Sequence, residues 1–375
     1  MTLKQTLADL VAIDSVSARA NGPVIDYLAA RCASLGFSVQ QFPYSDDNGV
    51  EKINLLAVAG SDSADANVEL ALVGHTDTVP YDPNWTEALK LSERDGKLFG
   101  RGACDTKAFI AAALTAVDGL QLKNLRRPLA LLFTADEEIG LIGAKRFADE
   151  RRMQARFAIV GEPTSLRPMR AGKGYCLAEI TVTGREAHSA YPSLGTSAVS
   201  GAARLLVRLE NIAKELENET HADFDPPYTT LNVGVVHGGT AKNVVPGLCS
   251  FTLEWRPIPG QKPERLLDLL QAAIAEETAH DSNLIFAVNA ARADQGFETS
   301  ANSELVKLLA GLTANNAGTV AFGTEAAQMA ELGAEAVVLG PGNIREAHRT
   351  GEFVPSAELE ACVTVLRQAI EKFCY

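Results

Sequence analysis

Cysteine is scarce in this sequence and never forms a Cys-x-x-Cys pair. The chain of 375 residues has six cysteines, spread singly along its length: Cys32, Cys104, Cys176, Cys249, Cys362 and Cys374. Such spacing offers no framework for disulfides. In a chain of this length, isolated cysteines indicate reduced thiols that pack as small core hydrophobes in a cytoplasmic protein.

Positive charge is also in short supply, because 34 lysines and arginines face 47 aspartates and glutamates and the formal net charge is -13. No basic stripe with interleaved aromatic residues is present, and an acidic chain is repelled by phosphates, so nucleic acid is excluded as a partner. The N-terminal residues 1–13 have helical spacing interrupted by charge, which is typical of neither a secretion signal nor a membrane span. A hydrophobic fraction of 46% over this length predicts a globular protein with more than one domain and no membrane partner.

Several catalytic signatures are missing as well. The glycines of Gly100-Arg-Gly102 lack the third glycine and the preceding parallel strand of a dinucleotide fingerprint. Neither a Gly-x-Ser-x-Gly elbow nor a His-Glu-x-x-His helix occurs, which argues against serine hydrolases and single-zinc proteases that carry those motifs. Magnesium-dependent phosphoryl transfer is disfavoured because it uses carboxylates and phosphate loops rather than pairs of histidines.

The most informative stretch is an apolar, strand-like run from Leu131 that ends at Asp136, Glu137 and Glu138. Three adjacent acids repel one another and are costly to remove from water, so a cation, most simply a metal ion, is expected to hold at least one of them. Neighbouring side chains diverge where a strand turns. Glu138 is therefore predicted to ligate a metal, Glu137 to act beside it as a base, and Asp136 to cap the following helix. The alternative is a solvated acidic loop.

Three further apolar strands end in the same way, and the polar residues just beyond them are His75 with Asp77, Glu162, and His348. His75 and Asp77 share one face, since residues two apart in an extended segment point the same way. In open α/β sheets, ligands bind at the carboxyl ends of the strands. These side chains are therefore predicted to meet the acidic run at one edge of a sheet.

Periodicity divides the chain into an α/β part, residues 1–173 and 290–375, and an insertion, residues 174–289. In the α/β part the predicted helices are 3–13, 23–35, 106–117 and 141–150, and the predicted strands are 37–42, 53–59, 68–74, 128–134, 156–161 and 336–339. In the insertion the order is strand 175–183, helix 195–215, strand 229–236, strand 248–256, helix 262–278 and strand 284–290. That βαββαβ order is the ferredoxin-like arrangement of a separate α+β domain.

Eight short stretches form one constellation: His75-Thr-Asp77, Gly102-Ala-Cys-Asp-Thr-Lys107, Asp136-Glu-Glu138, Glu162-Pro-Thr164, His188-Ser189, Asn243-Val-Val-Pro246, Arg256-Pro-Ile-Pro-Gly260 and His348. Their order over essentially the whole chain resembles the co-catalytic di-zinc amidohydrolases, a family of acetylornithine deacetylases, succinyl-diaminopimelate desuccinylases, aminoacylases and zinc carboxypeptidases. The resemblance implies a zinc-aminopeptidase-like catalytic domain with a mixed central sheet flanked by helices. It also implies that the ferredoxin-like insertion is the lid and dimerisation domain of a homodimer.

The resemblance further implies two Zn²⁺ per subunit, for which Co²⁺ can substitute. The ligands would be His75 and Glu162 for one ion, Glu138 and His348 for the other, and Asp105 as the bridge. Imidazole and carboxylate ligands suit zinc. By the same resemblance, the peptide bond between Asp105 and Thr106 is expected to be cis.

Catalytic and substrate contacts are implied in the same way. Asp77 would fix the tautomer of His75, and Glu137 would act as the general base. His188 would donate to the oxyanion, often from the partner subunit in relatives. The implied substrate contacts are Asn243 and Arg256 for the α-carboxylate, and Gly323, Thr324 and Glu325.

Within the family, the stretches 74–81, 161–174 and 324–326 are most similar to acetylornithine deacetylases, which implies hydrolysis of N²-acetyl-L-ornithine to L-ornithine and acetate in arginine biosynthesis. Residues 323–326 depart from the Gly-Thr-Asn-Asp of the desuccinylases. Glu325 is a candidate partner for the side-chain ammonium of the substrate, and a helix N-terminal acid is the alternative. Other N-acyl amino acids, such as acetylcitrulline or aminoacylase substrates, stay open. A non-catalytic relative is disfavoured because Glu137 and all the ligand positions are present.

Overall fold

The chain folds into two compact units, each with its own sheet and core. The computed structural model describes residues 1–61 and 66–375. The first unit comprises Met1–Arg170, Glu298–Gly318 and Thr324–Tyr375, and the second comprises Ala171–Phe297 and Thr319–Gly323. The second unit is longer than the predicted insertion, because its last strand continues to Asp294 and a short later segment belongs to it. Within the described residues, no helix is long and apolar enough to cross a membrane.

The described residues form nine α-helices: α1 (Leu3–Ala12), α2 (Gly22–Leu35), α3 (Lys107–Val117), α4 (Ile142–Glu150), α5 (Ala198–Leu216), α6 (Glu264–His280), α7 (Glu304–Thr313), α8 (Ala326–Glu331) and α9 (Ser356–Cys374). The strands in the same parts of the chain are β1 (Ser38–Ser45), β2 (Glu51–Ala59), β3 (Ala66–His75), β4 (Ser92–Arg94), β5 (Lys97–Phe99), β6 (Leu129–Thr134), β7 (Met153–Val160), β8 (Met169–Gly172), β9 (Tyr175–Thr183), β10 (Ala187–His188), β11 (Thr230–Gly238), β12 (Val244–Val245), β13 (Leu248–Arg256), β14 (Ile285–Asp294), β15 (Phe297–Glu298), β16 (Gly318–Val320), β17 (Glu335–Val338) and β18 (Phe353–Pro355).

The first two helices are bounded by residues that favour helix ends. The side chain of Thr2 accepts a hydrogen bond from the backbone N–H of Gln5 and so satisfies a donor that the first turn of α1 leaves free. Gly36 ends α2 in the left-handed conformation, at φ 99°, which glycine adopts without the steric penalty of a Cβ atom.

The sheet of the first unit is mixed, as the sequence predicted. Its strand order is β1-β2-β6-β3-β7-β17, with β1 and β2 antiparallel to their neighbours and the other four parallel. Every residue of β6 is buried, which is expected of a parallel strand covered on both faces. Helices flank the sheet in two groups: α3 packs with α9 and with β3, whereas α4 packs with α8 and with β2.

The parallel strands direct four loops to one edge of this sheet. His75 is the last residue of β3, and the acidic run follows β6. Gly161 and Glu162 follow β7, and the segment that contains His348 follows β17. These four neighbouring strands therefore end at, or are followed by, His75, Asp77, Glu137, Glu138, Glu162 and His348.

The second unit has the predicted ferredoxin-like order. Its four-stranded antiparallel sheet runs β11-β13-β9-β14, and α5 and α6 pack against one face. The apolar residues of the two helices meet alternate residues of the strands in a core that contains Phe251, Leu253 and Trp255. The strand β11 forms one edge, and most of its residues are exposed.

Candidate metal centre

Five predicted ligands lie together at the carboxyl edge of the first sheet. Their donor atoms form two groups, each within 4.8 Å: His75, Asp105 and Glu162 in one, and Asp105, Glu138 and His348 in the other. Asp105 is common to both groups. The structure therefore brings together side chains that lie as far apart in sequence as residues 75 and 348.

Asp105 turns one carboxylate oxygen towards each histidine. Its Oδ1 lies 3.1 Å from Nε2 of His75, and its Oδ2 lies 3.1 Å from Nε2 of His348. The same nitrogen of His348 lies 2.9 Å from Oε2 of Glu138. Two ligands about 2.1 Å from one tetrahedral zinc ion lie roughly 3.4 Å apart, so the donor spacing fits two ions that share Asp105.

The cis peptide bond expected between Asp105 and Thr106 is confirmed. Thr106 then precedes α3, and its hydroxyl donates to the carbonyl oxygen of Gly161, 3.0 Å away. This bond ties the loop of Asp105 to the residue just before Glu162.

Asp77 connects the loops that follow β3 and β6. Its carboxylate accepts hydrogen bonds from the backbone N–H of Glu137 at 3.1 Å, from that of Glu138 at 3.3 Å, and from the hydroxyl of Ser17 at 2.7 Å. Nδ1 of His75 lies 3.1 Å from the backbone oxygen of Asp77 and 3.6 Å from its carboxylate. Asp77 thus holds Nδ1 of the imidazole, so that Nε2 faces Asp105.

The charges at this edge require a cation. Removal from water raises the pKa of Glu162 well above its usual range, and the negative charge of Asp105 adds to the rise. For His348, hydrogen bonds to Asp105 and Glu138 raise the pKa to about 10. Both shifts mark a site in which carboxylates outnumber positive charges, and a pair of divalent ions would balance it.

Glu137 lies next to this centre without belonging to either ligand group. Withdrawal of its carboxyl from water raises its pKa well above the usual range, and the charges of Glu138 and Asp105 contribute to the rise. A glutamate with a raised pKa beside a ligand cluster is suited to hold a proton temporarily.

The predicted helix cap at Asp136 is wrong. The helix α4 begins after Leu141, and no side chain caps it. Asp136 has a positive φ of 56° and is fully buried, and its carboxylate accepts hydrogen bonds from Nζ of Lys52 and from the hydroxyl of Tyr44, at 2.8 and 2.9 Å. Lys52 is therefore the cation that compensates the charge of Asp136, the first acid of the run.

Thr324 and Glu325 lie in the first unit, immediately before α8. Glu325 is 1% exposed and accepts a hydrogen bond from the hydroxyl of Thr134, and among the described residues its Oε2 has no hydrogen-bond donor. Burial raises the pKa of Glu325 to about 7. Thr324 accepts a hydrogen bond from the backbone N–H of Ala326. Glu325 is also the residue before the first turn of α8, which agrees with the alternative of a helix N-terminal acid.

The other predicted contacts lie in the second unit. His188 is exposed in β10, opposite Val244, and the carbonyl oxygen of Asn243 accepts a hydrogen bond from Ser189. Arg256 ends β13, where its guanidinium lies 4.5 Å from the ring centre of Tyr175. In the same unit, a Cβ atom at Gly323 would lie 3.5 Å from Cβ of Tyr175, which is an ordinary van der Waals distance. His188 and Asn243 are therefore neighbours, and Arg256 and Gly323 lie around one tyrosine.

Sequence reasoning missed two buried charged residues beside the centre. Lys52 lies on β2, 84 residues before its partner Asp136, and Glu352 accepts hydrogen bonds from the loop of Asp105. In the sequence, each appears only as a charged residue within or beside an apolar strand-like stretch. That pattern indicates a buried charge but does not identify its partner.

Comparison with known proteins identifies the family. Residues 71–372 match the sequence profile of peptidase family M20/M25/M40. The chain belongs to this family. An acetylornithine deacetylase from Myxococcus xanthus is 53% identical over 374 residues, which cover 99% of this chain and 97% of that protein. One from Proteus mirabilis is 35% identical and covers 100% of this chain and 97% of its own length.

Solved structures of other proteins share the M20 fold. A tripeptidase from Staphylococcus aureus superposes with a TM-score of 0.78 at 23% identity, covering 99% of this chain and 97% of that one. An M20 metallo-carboxypeptidase from Sulfolobus solfataricus superposes with a TM-score of 0.76 at 18% identity, covering 100% of this chain and 99% of that one. These likenesses confirm the predicted fold class. Membership of the M20 family, with the two ligand groups, makes this chain a metal-dependent hydrolase of amide bonds.

Proposed function

We propose that this M20 protein hydrolyses N²-acetyl-L-ornithine to L-ornithine and acetate at a centre of two zinc ions. The proposal rests mainly on Asp105, whose two carboxylate oxygens each face a different histidine, as a bridging ligand requires. The acetyl group and the ornithine part follow from 53% identity to an acetylornithine deacetylase over almost the whole chain.

In this proposal two zinc ions occupy each subunit, and cobalt can substitute. Such ions would lower the pKa of a bound water and polarise the acyl carbonyl. His75 and Glu162 would hold one ion, Glu138 and His348 would hold the other, and Asp105, which belongs to both groups, would contribute to each. The two ions would bring four positive charges against three carboxylates, which would offset both the burial that raises the pKa of Glu162 and Glu138 and the charge of Asp105 that adds to the rise.

Glu137 carries the proton during the reaction. It removes the proton from the attacking water and delivers it to the nitrogen of the leaving amine. Its burial suits this task, because removal from water raises the pKa of the carboxyl and lets it accept a proton more readily than a solvated glutamate. Asp77 keeps Glu137 in place through the backbone N–H of that residue while it orients His75.

Substrate recognition is divided between the predicted contacts. Asn243 and Arg256 bind the α-carboxylate, for which a guanidinium offers two parallel donors. His188 donates to the developing oxyanion and comes from the partner subunit of a homodimer. Glu325 pairs with the side-chain ammonium, and Gly323 and Thr324 are further substrate contacts. The free thiols of all six cysteines support a cytoplasmic location.

A panel of N-acyl amino acids tests this function. Release of free amine is measured for acetylornithine, acetylcitrulline, acetylated neutral amino acids and succinyl-diaminopimelate, with and without a chelator. Acetylornithine should give the highest kcat/KM, and the chelator should abolish turnover until zinc or cobalt is returned. A higher kcat/KM on acetylcitrulline or another member of the panel would assign the site to that N-acyl amino acid, and chelator-resistant turnover would contradict the metal mechanism.

A further inference from the structure

Glu352 is a buried acid that the mechanism does not use. It is 1% exposed and lies just before β18, four residues after His348. Its carboxylate accepts four hydrogen bonds from a single loop: Arg101 Nη1 at 2.7 Å and Gly102 N at 3.0 Å on Oε2, and Cys104 N at 2.8 Å and Asp105 N at 3.0 Å on Oε1. A carboxylate has about four acceptor positions, so this one is saturated and has none left for a metal ion.

The loop that donates these bonds, residues 101–105, has a left-handed residue, Gly102, and directs three backbone N–H groups to one carboxylate. Gly102 has a φ of +75°, and a Cβ atom there would lie 2.8 Å from Thr78 and 2.9 Å from Lys107. The backbone N–H groups of Gly102, Cys104 and Asp105 all point to the same place. Without an acceptor there, these three donors would be buried and unpaired. Glu352 is the acceptor that stabilises this conformation.

Glu352 also joins this loop to the segment that carries the second histidine. Its backbone N–H donates to the carbonyl oxygen of Arg349, and its own carbonyl oxygen accepts from Gly100. The following strand β18 pairs with β5, which leads into the same loop. One residue thus connects the chain beside His348 to the chain that presents Asp105.

We infer that Glu352 is a positioning residue for the bridging ligand, and that it sets the affinity of both metal ions by fixing the loop of Asp105. Because Asp105 belongs to both ligand groups, a shift of its backbone moves a donor of each ion at once. Partners that orient metal ligands typically contribute about 10- to 100-fold in metal affinity. The inference rests on the proposed di-metal centre but not on the substrate.

The experiment compares Glu352→Gln with a matched change elsewhere. The amide retains the shape of the side chain, but its NH₂ group faces two of the four donors. Glu277 provides the control, since it is 3% exposed, accepts from Nε of Arg204 and Nε of Arg208 in the second unit, and has no link to a ligand. Metal-free proteins are titrated with Zn²⁺ against a chromophoric chelator, and hydrogen exchange is followed over residues 100–106 without metal.

We expect Glu352→Gln to bind both ions about 10- to 100-fold more weakly and to exchange faster over residues 100–106, and Glu277→Gln to match the wild type in both measurements. Glu352→Asp keeps the charge, but its shorter side chain cannot reach both pairs of donors, so it should give an intermediate metal affinity. This variant replaces the glutamine variant in the test if the latter does not fold. Wild-type affinity in both Glu352 variants, or an equal loss in Glu277→Gln, would overturn the inference. If the wild type bound fewer than two ions, the proposed function would fail instead, and exchange in the metal-free proteins would still decide the role of Glu352.

Discussion

Replacing Lys52 by methionine removes the cation that neutralises Asp136. Nζ of Lys52 is buried and donates to the carbonyl oxygens of Ser17 and Arg19 and to the carboxylate of Asp136. Methionine fills a similar volume but leaves these acceptors without a donor. Removing one member of a buried ion pair typically costs about 3–5 kcal/mol, because the other charge stays buried and uncompensated.

Lys52→Met should therefore lower the free energy of unfolding of the first unit by about 3–5 kcal/mol. Adding Asp136→Asn should restore part of that loss, since the amide carries no charge to leave uncompensated. Lys4→Met is the matched control: Lys4 pairs with Glu93 at the surface, where side chains are 58% and 45% exposed, and such pairs contribute about 0–1 kcal/mol.

Urea denaturation followed by tryptophan fluorescence can measure these values. The chain has two tryptophans, Trp85 in the first unit and Trp255 in the second, so a Trp255→Phe background reports the first unit alone. If Lys52→Met lowers the free energy of unfolding no more than Lys4→Met does, the buried pair contributes no more to stability than a surface pair. Effects of Lys52→Met and Asp136→Asn that simply add would show that the two side chains are not coupled.

Four further predictions concern turnover, substrate preference, the pH dependence of stability and the subunit that supplies His188. Glu137→Ala should retain both metal ions but lose turnover by several orders of magnitude, which elemental analysis and steady-state assays measure together, and near-normal turnover would refute its role as the base. Glu325→Gln should reduce the preference for acetylornithine over acetylated neutral amino acids. Because burial raises the pKa of Glu325 to about 7 from 4.5, the folded state retains this proton more readily than the unfolded state, and stability falls as the pH rises between those values. The glutamine variant should show a flatter profile in that window, and an unchanged slope would contradict this account. Finally, exchanging subunits between Glu137→Ala and His188→Ala, each inactive alone, should restore roughly a quarter of wild-type activity per site if His188 acts in the partner subunit. Activity that stays at the parental level after verified exchange would place His188 in its own subunit.

The sequence predicts those parts of the fold that local periodicity encodes. Apolar runs that stop at polar residues placed His75, Glu138 and Glu162 at strand ends, and the parallel sheet then brought those ends together. The βαββαβ order of the second unit followed from the same kind of pattern.

Long-range partners of single charges could not be predicted in this way. Asp136 was expected to cap a helix because an acid before a helix commonly does so, but Lys52 from a distant strand binds it instead. Glu352 lies 247 residues after Asp105, and only the folded chain shows that four donors converge on it. Such contacts depend on tertiary packing, which produces no periodic pattern in the sequence.

The discontinuity of the first unit affects how the protein can be made. Strand β17 completes the parallel sheet beside β7, and α9, which has eight buried residues, packs against α3, yet both are synthesised after the whole second unit. At translation rates of roughly 5–20 residues per second, the edge of β7 and the apolar face of α3 stay uncovered for on the order of ten seconds or more. The nascent chain therefore carries an unpaired strand edge during this interval, when aggregation competes with folding. Loss of the last helix would leave the apolar face of α3 uncovered for the lifetime of the molecule.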